Sequence, residues 1–247
     1  MRRPTCLLVV SLLALAPGSV RAQMVERYEA GPLLFQDDFS DATHWLVEQQ
    51  EDGRVSFQDG RLVIQDADGC TIWFRQELSA PVVITYDATV IDHGGPHDRV
   101  SDLNCFWMAT DPAAPDGSVL ATTASRTGAF KQYDALRLYY VGCGGNSNTT
   151  TRFRRYTGMG DKPLLPEFDL KEPRFLLQAN HTYKIMLVAA AGRAQYFRDG
   201  ERIFDYADPD PLPRGWFGFR TVRSHIEITH FRVWQARLVS ATGAPAP

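Results

Sequence analysis

Residues 195–206 read QYFRDGERIFDY. Two short runs of aromatic and β-forming residues flank Asp199-Gly200, and Asp-Gly suits the two positive-φ positions of a tight hairpin turn. A β-hairpin is therefore expected over 195–198 and 201–206. Outward from it the same signals recur. Arg61–Gln65 (RLVIQ) follows an Asp59-Gly60 turn, and Thr71–Arg75 (TIWFR), Val82–Ile91 (VVITYDATVI) and Leu103–Ala109 (LNCFWMA) read as strands. Ala135–Val141, Arg152–Tyr156, Tyr183–Ala189, Trp216–Thr221 and His225–Leu238 continue the series. No long stretch shows a 3.6-residue period with caps, and the one helical candidate is a short turn near Asp41–Trp45. Many strands without crossover helices imply an all-β, two-sheet antiparallel sandwich.

The N-terminus reads as a secretory signal. Arg2 and Arg3 precede an apolar run over Leu7–Ala16, and Val20-Arg21-Ala22 fits a small-residue cleavage site. The run is too short to span a bilayer. Residues 1–22 are thus expected to be removed, 23–240 to form one β-sandwich domain and 241–247 (ATGAPAP) to be a disordered tail. Cleavage takes 26 basic residues to 23 against 29 acidic ones, moving the formal net charge from −3 to −6. Nucleic acid is an unsuitable partner for such a chain, and no second apolar run marks a membrane span. The expected location is secreted or periplasmic; oligomeric state stays open. Three cysteines remain after cleavage. Cys70 and Cys105 read as small buried hydrophobes, and Cys143 in a glycine loop is the partner for a bridge if one exists.

Several segments resemble concanavalin A-like lectin/glucanase jelly rolls: Asp37-Asp38-Phe39-Ser40 with Trp45, DGRLVI at 59–64, YFRDGERIFDY at 196–206, GWFGFRT at 215–221 and ITHFRVW at 228–234. Within that superfamily the chain is similar to a group of secreted bacterial proteins of unassigned function, on GCTIWFR (69–75), RVSDLNCFWMA (99–109), LRLYYVGCGGN (136–146) and TTRFRRY (150–156). The resemblance implies a jelly roll and an association with gene sets that break down rhamnose- and uronate-containing plant polysaccharides.

Function is most legible between Tyr133 and Tyr156 (YDALRLYYVGCGGNSNTTTRFRRY). From 135 to 160 there is no Asp or Glu, yet Arg137, Arg152, Arg154 and Arg155 are interleaved with three tyrosines. Strand alternation groups Arg137 with Tyr139, opposite a leucine-bearing face expected to be core, and groups Arg152, Arg154 and Tyr156 opposite Phe153. Arginine binds carboxylate bidentately and tyrosine stacks on sugars or transfers protons, so these residues are candidates for an acidic polysaccharide or oligosaccharide. The competing reading pairs the arginines with carboxylates from distant loops. Arg155 falls on the core-side parity, where an ion pair would satisfy it. Asn104, Asn146, Trp73 and Arg75 are further substrate-binding candidates, with Trp73 either a sugar platform or core.

In His93-Gly94-Gly95-Pro96-His97-Asp98-Arg99, His93 or His97 is a candidate base, and His225 is another histidine candidate. Alternatively Asp92, Asp98 and Asp102 offer hard oxygen ligands for a structural calcium, the one cofactor considered. The third reading is an ordinary polar loop. The glucanase Glu-x-Asp-x-x-Glu motif is absent, which counts against a retaining hydrolase. Tyr139, Arg137 and His93 or His97 supply the inventory of a polysaccharide lyase cleaving by β-elimination. A glycoside hydrolase and a non-catalytic, lectin-like glycan-binding domain remain the alternatives.

Overall fold

The computed structural model describes residues 27–50 and 52–239; the expected signal (1–22) and tail (241–247) lie outside them. In chain order the strands are β1 (Arg27–Asp37), β2 (Trp45–Gln49), β3 (Arg54–Gln58), β4 (Arg61–Gln65), β5 (Cys70–Phe74), β6 (Leu78–Ser79), β7 (Val82–Val90), β8 (Leu103–Thr110), β9 (Arg137–Gly144), β10 (Thr150–Thr157), β11 (Asp169–Leu170), β12 (Thr182–Ala190), β13 (Arg193–Arg198), β14 (Glu201–Ala207), β15 (Arg214–Thr221) and β16 (His225–Val239). They form two antiparallel sheets. Sheet A runs β14-β13-β12-β7-β16-β4-β3, with β1 also on β16; sheet B runs β11-β10-β9-β8-β15-β5-β2, with β6 on β15. The Asp199-Gly200 hairpin joins β13 and β14 as expected, and Asp199 and Gly200 both have positive φ. Residues 41–45 make a turn, not a helix, closed by Trp45 N donating to the Ala42 carbonyl at 2.9 Å. No helix among the described residues is long and apolar enough to cross a membrane.

The two sheets differ in how they are buried, and that difference places the site. In sheet A, β7 and β12 alternate buried and half-exposed positions, the pattern of a sheet with one solvated face. In sheet B, β5, β8 and β9 are buried almost continuously. One face of sheet B packs on sheet A, where Trp45, Trp107, Tyr139, Phe153, Phe219 and Phe231 belong to the main core. The other face carries a second apolar cluster. There Val119, Tyr133 and Leu136, from the segment between β8 and β9, cover Trp73, Phe106, Leu138 and Trp216. Two 3-10 turns, Val119–Ser125 and Phe130–Tyr133, shape that segment.

This covering segment is fastened by buried charge. Arg126 bonds both Glu48 carboxylate oxygens (3.0 and 3.2 Å), pairs with Asp111 at 3.3 Å and also donates to the Val119 carbonyl. The Tyr133 hydroxyl donates to Glu48 at 2.6 Å.

Among the described residues, Cys70, Cys105 and Cys143 are free and buried. Cys143 lies inside β9, not in a loop, because β9 runs on to Gly144. Burial pushes the Cys105 thiol up to about 12, as expected for a thiol that acts as a hydrophobe.

A candidate glycan pocket on the outer face of sheet B

The covering segment stops short of one end of sheet B, and a cavity of 410 Å³ opens there. Its floor comes from three adjacent strands. Asn104 is on β8, Tyr140 and Gly142 on β9, and Arg152, Arg154 and Tyr156 on β10. Register aligns them: Asn104 opposes Gly142, Gly142 opposes Arg152 and Tyr140 opposes Arg154. Gly142 has a steric role, since a Cβ there would sit 2.5 Å from the Tyr140 hydroxyl oxygen. The walls are Phe130, Lys162, Arg99 and the turn after β9. In that turn Asn146, Ser147 and Asn148 all have positive φ (53°, 59° and 58°). Three successive L-residues in the left-handed region are costly. Asn148 holds them by exchanging two 2.8 Å hydrogen bonds with the Leu177 backbone.

Charge in the pocket is lopsided. Arg99, Arg152, Arg154 and Lys162 line it, and Asp102 is the one carboxylate lining it among the described residues. Arg152 is tied to Asp169 at 2.6 Å and Lys162 to Asp134 at 2.5 Å. Arg99 donates to Ser147 Oγ at 3.1 Å and sits 3.6 Å from Asp102. Arg154 donates to the Lys162 carbonyl and has no carboxylate within ion-pair distance among the described residues. Two buried polar atoms in the lining have no partner, Asn104 Oδ1 and the Tyr156 hydroxyl. Buried polar atoms are ordinarily paired, so orphans in a pocket wall mark positions a ligand can satisfy. Burial pushes the Tyr140 and Tyr156 phenols up, so both stay protonated at neutral pH.

Several sequence expectations are corrected. Tyr139 does not face the groove: it lies in the core between the sheets, donating to Asp208 Oδ2 at 2.7 Å. The leucine-bearing face of β9 is the outer one, kept apolar by the covering segment. Arg137 sits at the start of β9 and pairs with Asp210 at 2.5 Å, outside the pocket lining. Trp73 is on the outer face but 0% exposed, stacked on Phe106 at 5.7 Å, so it is core and not a platform. Arg75 is exposed and donates to the Trp45 carbonyl at 2.9 Å. Arg155 keeps its core-side parity and pairs with Asp208 at 2.8 Å.

The histidines are elsewhere too. His93, His97 and His225 are absent from the pocket lining. His225 Nδ1 lies 2.8 Å from Asp98 Oδ1, and Asp98 Oδ2 accepts the backbone N–H groups of His93 and Gly95. The calcium reading fails on the same bonds. Asp98 is saturated internally, Asp102 is held by Ser101 and Asn104, and no cluster of three metal-ligating side chains occurs among the described residues. Asp98 thus serves as a loop staple. The His93 N–H, with Gly95 and His225 beside it, holds its carboxyl down at about 2. An unfolded aspartate titrates near ~4, so this stabilisation is present above that pH and lost as pH falls towards about 2. Asp98→Asn should therefore flatten the acid limb of stability against pH. Acid unfolding curves that run parallel for the two proteins would show that Asp98 carries none of it.

Sequence reading missed Tyr140, Lys162, Phe130 and Arg99 as pocket residues. Lys162 lies two positions beyond the acid-free window, and only the length of the loop after β10 pointed to it.

A family model described as a domain of unknown function (DUF6250) matches residues 64–231. No curated protein matches the chain. Among solved structures, a protein of unknown function with a galectin-like fold from Bacillus subtilis is similar, with TM-score 0.64 and 20% identity over 85% of this chain and 99% of that one. The carbohydrate binding module CBM66 from Bacillus subtilis gives TM-score 0.51 and 12% identity over 78% and 96%. An endo-β-1,3-glucanase from Pyrococcus furiosus gives TM-score 0.53 and 10% identity over 85% and 95%. At these identities the likeness is one of fold, a two-sheet antiparallel sandwich of the galectin-like, jelly-roll kind.

Proposed function

Since the chain belongs to the DUF6250 family, whose description assigns no function, we propose its function from the pocket: it binds a glycan through a sugar bearing a carboxylate. One observation carries this reading. The Arg154 guanidinium faces the cavity without a carboxylate of its own, beside the unpartnered Tyr156 hydroxyl and Asn104 amide oxygen. A planar fork donor next to one hydroxyl and one amide suits a ring carrying a carboxylate and hydroxyl groups. Carbohydrate binding and cleavage named among proteins of the same fold support it. In this reading the protein is exported and meets an acidic plant or algal polysaccharide outside the cytoplasm.

Recognition is favoured over cleavage. β-Elimination needs a base poised near neutral pH, and the phenols lining the pocket, Tyr140 and Tyr156, are held protonated by burial. Hydrolysis needs two carboxylates about 5–10 Å apart across the bond; the lining supplies Asp102 alone among the described residues, and Ser101 and Asn104 already hold it. The lyase inventory of Tyr139, Arg137, His93 and His97 is not gathered at this pocket.

Arg154→Ala should weaken binding of polygalacturonate, glucuronan or alginate by about tenfold to a hundredfold, the worth of a charged hydrogen bond. Melting temperature should stay within about two degrees, because only a surface loop carbonyl loses its donor. Calorimetric titration of each polymer, with its carboxyl-reduced form as control, measures the effect. Equal affinity for the reduced polymer, or a large fall in melting temperature, would remove the proposal.

A further inference from the structure

We infer that this pocket takes the end of an acidic glycan chain and not an interior stretch; the inference rests on the binding reading above. An interior stretch must enter a site and leave it, so it needs a trough open at two sides. The outer face of sheet B offers no such trough. Over β2, β5 and β15 the face is filled by the covering segment, whose Val119 and Tyr133 pack with Leu46, Trp73 and Trp216. That cover is not a loose lid. Arg126, Glu48 and Asp111 fasten it in a pair of buried ion pairs, and Arg220 donates to the Gly128 carbonyl beneath it.

The two ends of β9 and β10 are bridged. Lys162, from the loop after β10, reaches Asp134 of the covering segment at 2.5 Å, and Arg154 donates to the Lys162 carbonyl. At the opposite side the left-handed turn stands up from β9. Arg99 ties it to the loop before β8 through Ser147 Oγ at 3.1 Å, and Asn148 ties it to Leu177. A polymer lying along β9 and β10 would have to break one of these bridges at each end, and one crossing β10, β9 and β8 runs into the covering segment over β15. What is left is a cul-de-sac of 410 Å³, near the lower end of the ~300–1,000 Å³ range of ligand cavities and sufficient for about one or two sugar rings. The carboxylate-free Arg154 and the orphaned Asn104 and Tyr156 atoms are in its floor, where a terminal residue would rest.

The test uses the full chain and galacturonate, glucuronate and mannuronate probes as monosaccharide, trisaccharide and long polymer. Titration calorimetry reads affinity and the number of protein molecules bound per gram. The expected result is that one probe class binds as trisaccharide within about threefold of its polymer, and that fragmenting the polymer at constant mass raises bound protein in proportion to the ends created. If bound protein instead tracks polymer mass, and the trisaccharide fails while the polymer binds, end recognition is wrong and acidic-glycan binding survives. If no acidic probe of any length binds, both readings fall.

Discussion

Arg126→Met is expected to lower the unfolding free energy by about 3–5 kcal/mol, the cost of leaving buried charge without its partner. The Arg126, Glu48 and Asp111 side chains are 4%, 2% and 8% exposed, so water cannot take over when the guanidinium is removed. Two carboxylates would then sit beside Trp73 and Tyr133, whose rings now lie 5.9 and 5.7 Å from the guanidinium carbon. The Val119 carbonyl would lose a donor as well. Adding Glu48→Gln should recover part of the loss, because one of the stranded charges is gone, and a double-mutant cycle in urea measures that coupling. Arg126 does not line the pocket, yet its loss should also weaken glycan binding, since the wall bearing Phe130 depends on it. A destabilisation below about 1 kcal/mol would mean that water reaches this cluster and that the covering segment is held by apolar contact alone.

Asp208→Ala should cost about 3 kcal/mol and leave binding untouched. Asp208 lies on the far side of sheet B from the pocket. Its Oδ2 accepts from the Tyr139 hydroxyl at 2.7 Å and from Arg155 Nε at 2.8 Å, and its Oδ1 accepts the Asp210 N–H at 3.0 Å. Removing the carboxylate strands a phenol that is 1% exposed. Asp210 still reaches Arg155 at 3.2 Å, which keeps the loss below that of the Arg126 cluster. Chemical unfolding and titration of the same variant separate the two consequences. A variant of normal stability would mean that Tyr139 and Arg155 find other partners, and weakened binding would mean that this face communicates with the pocket.

The strands were legible because sheet A obeys the period-two rule, with one face wet and one dry. The face assignment of β9 was not, and the reason is physical. Alternation identifies a core only when the opposite face meets water, and β9 is dry on both. Leu136 and Leu138 mark the covering segment, while Tyr139, polar enough to suggest a site, is buried because Asp208 from a remote loop receives its hydroxyl. The acid-free stretch from 135 to 160 was a true feature that gave half the site. Arg152, Arg154 and Tyr156 share the pocket, whereas Arg137 and Arg155 are paired with Asp208 and Asp210, some 50 to 70 positions along the chain. Such pairings leave no local trace. Trp73 and the loop histidines show the same limit, since a residue type says what it can do and only packing says whether it is reachable.

The position of β16 has a consequence for how the molecule is made. It lies inside sheet A, with β7 along one edge and β4 and then β1 along the other, so Arg27 pairs with Val239 and His225 with Gln65. A ribosome or an export channel delivers the amino end first, and β1, β4 and β7 must wait for this fifteen-residue ribbon before their neighbours are complete. Until then β4, β7 and β1 have open edges, so a truncation that trims the carboxyl end into β16 would divide the sheet down its middle, whereas trimming β3 or β14 would shave only a border.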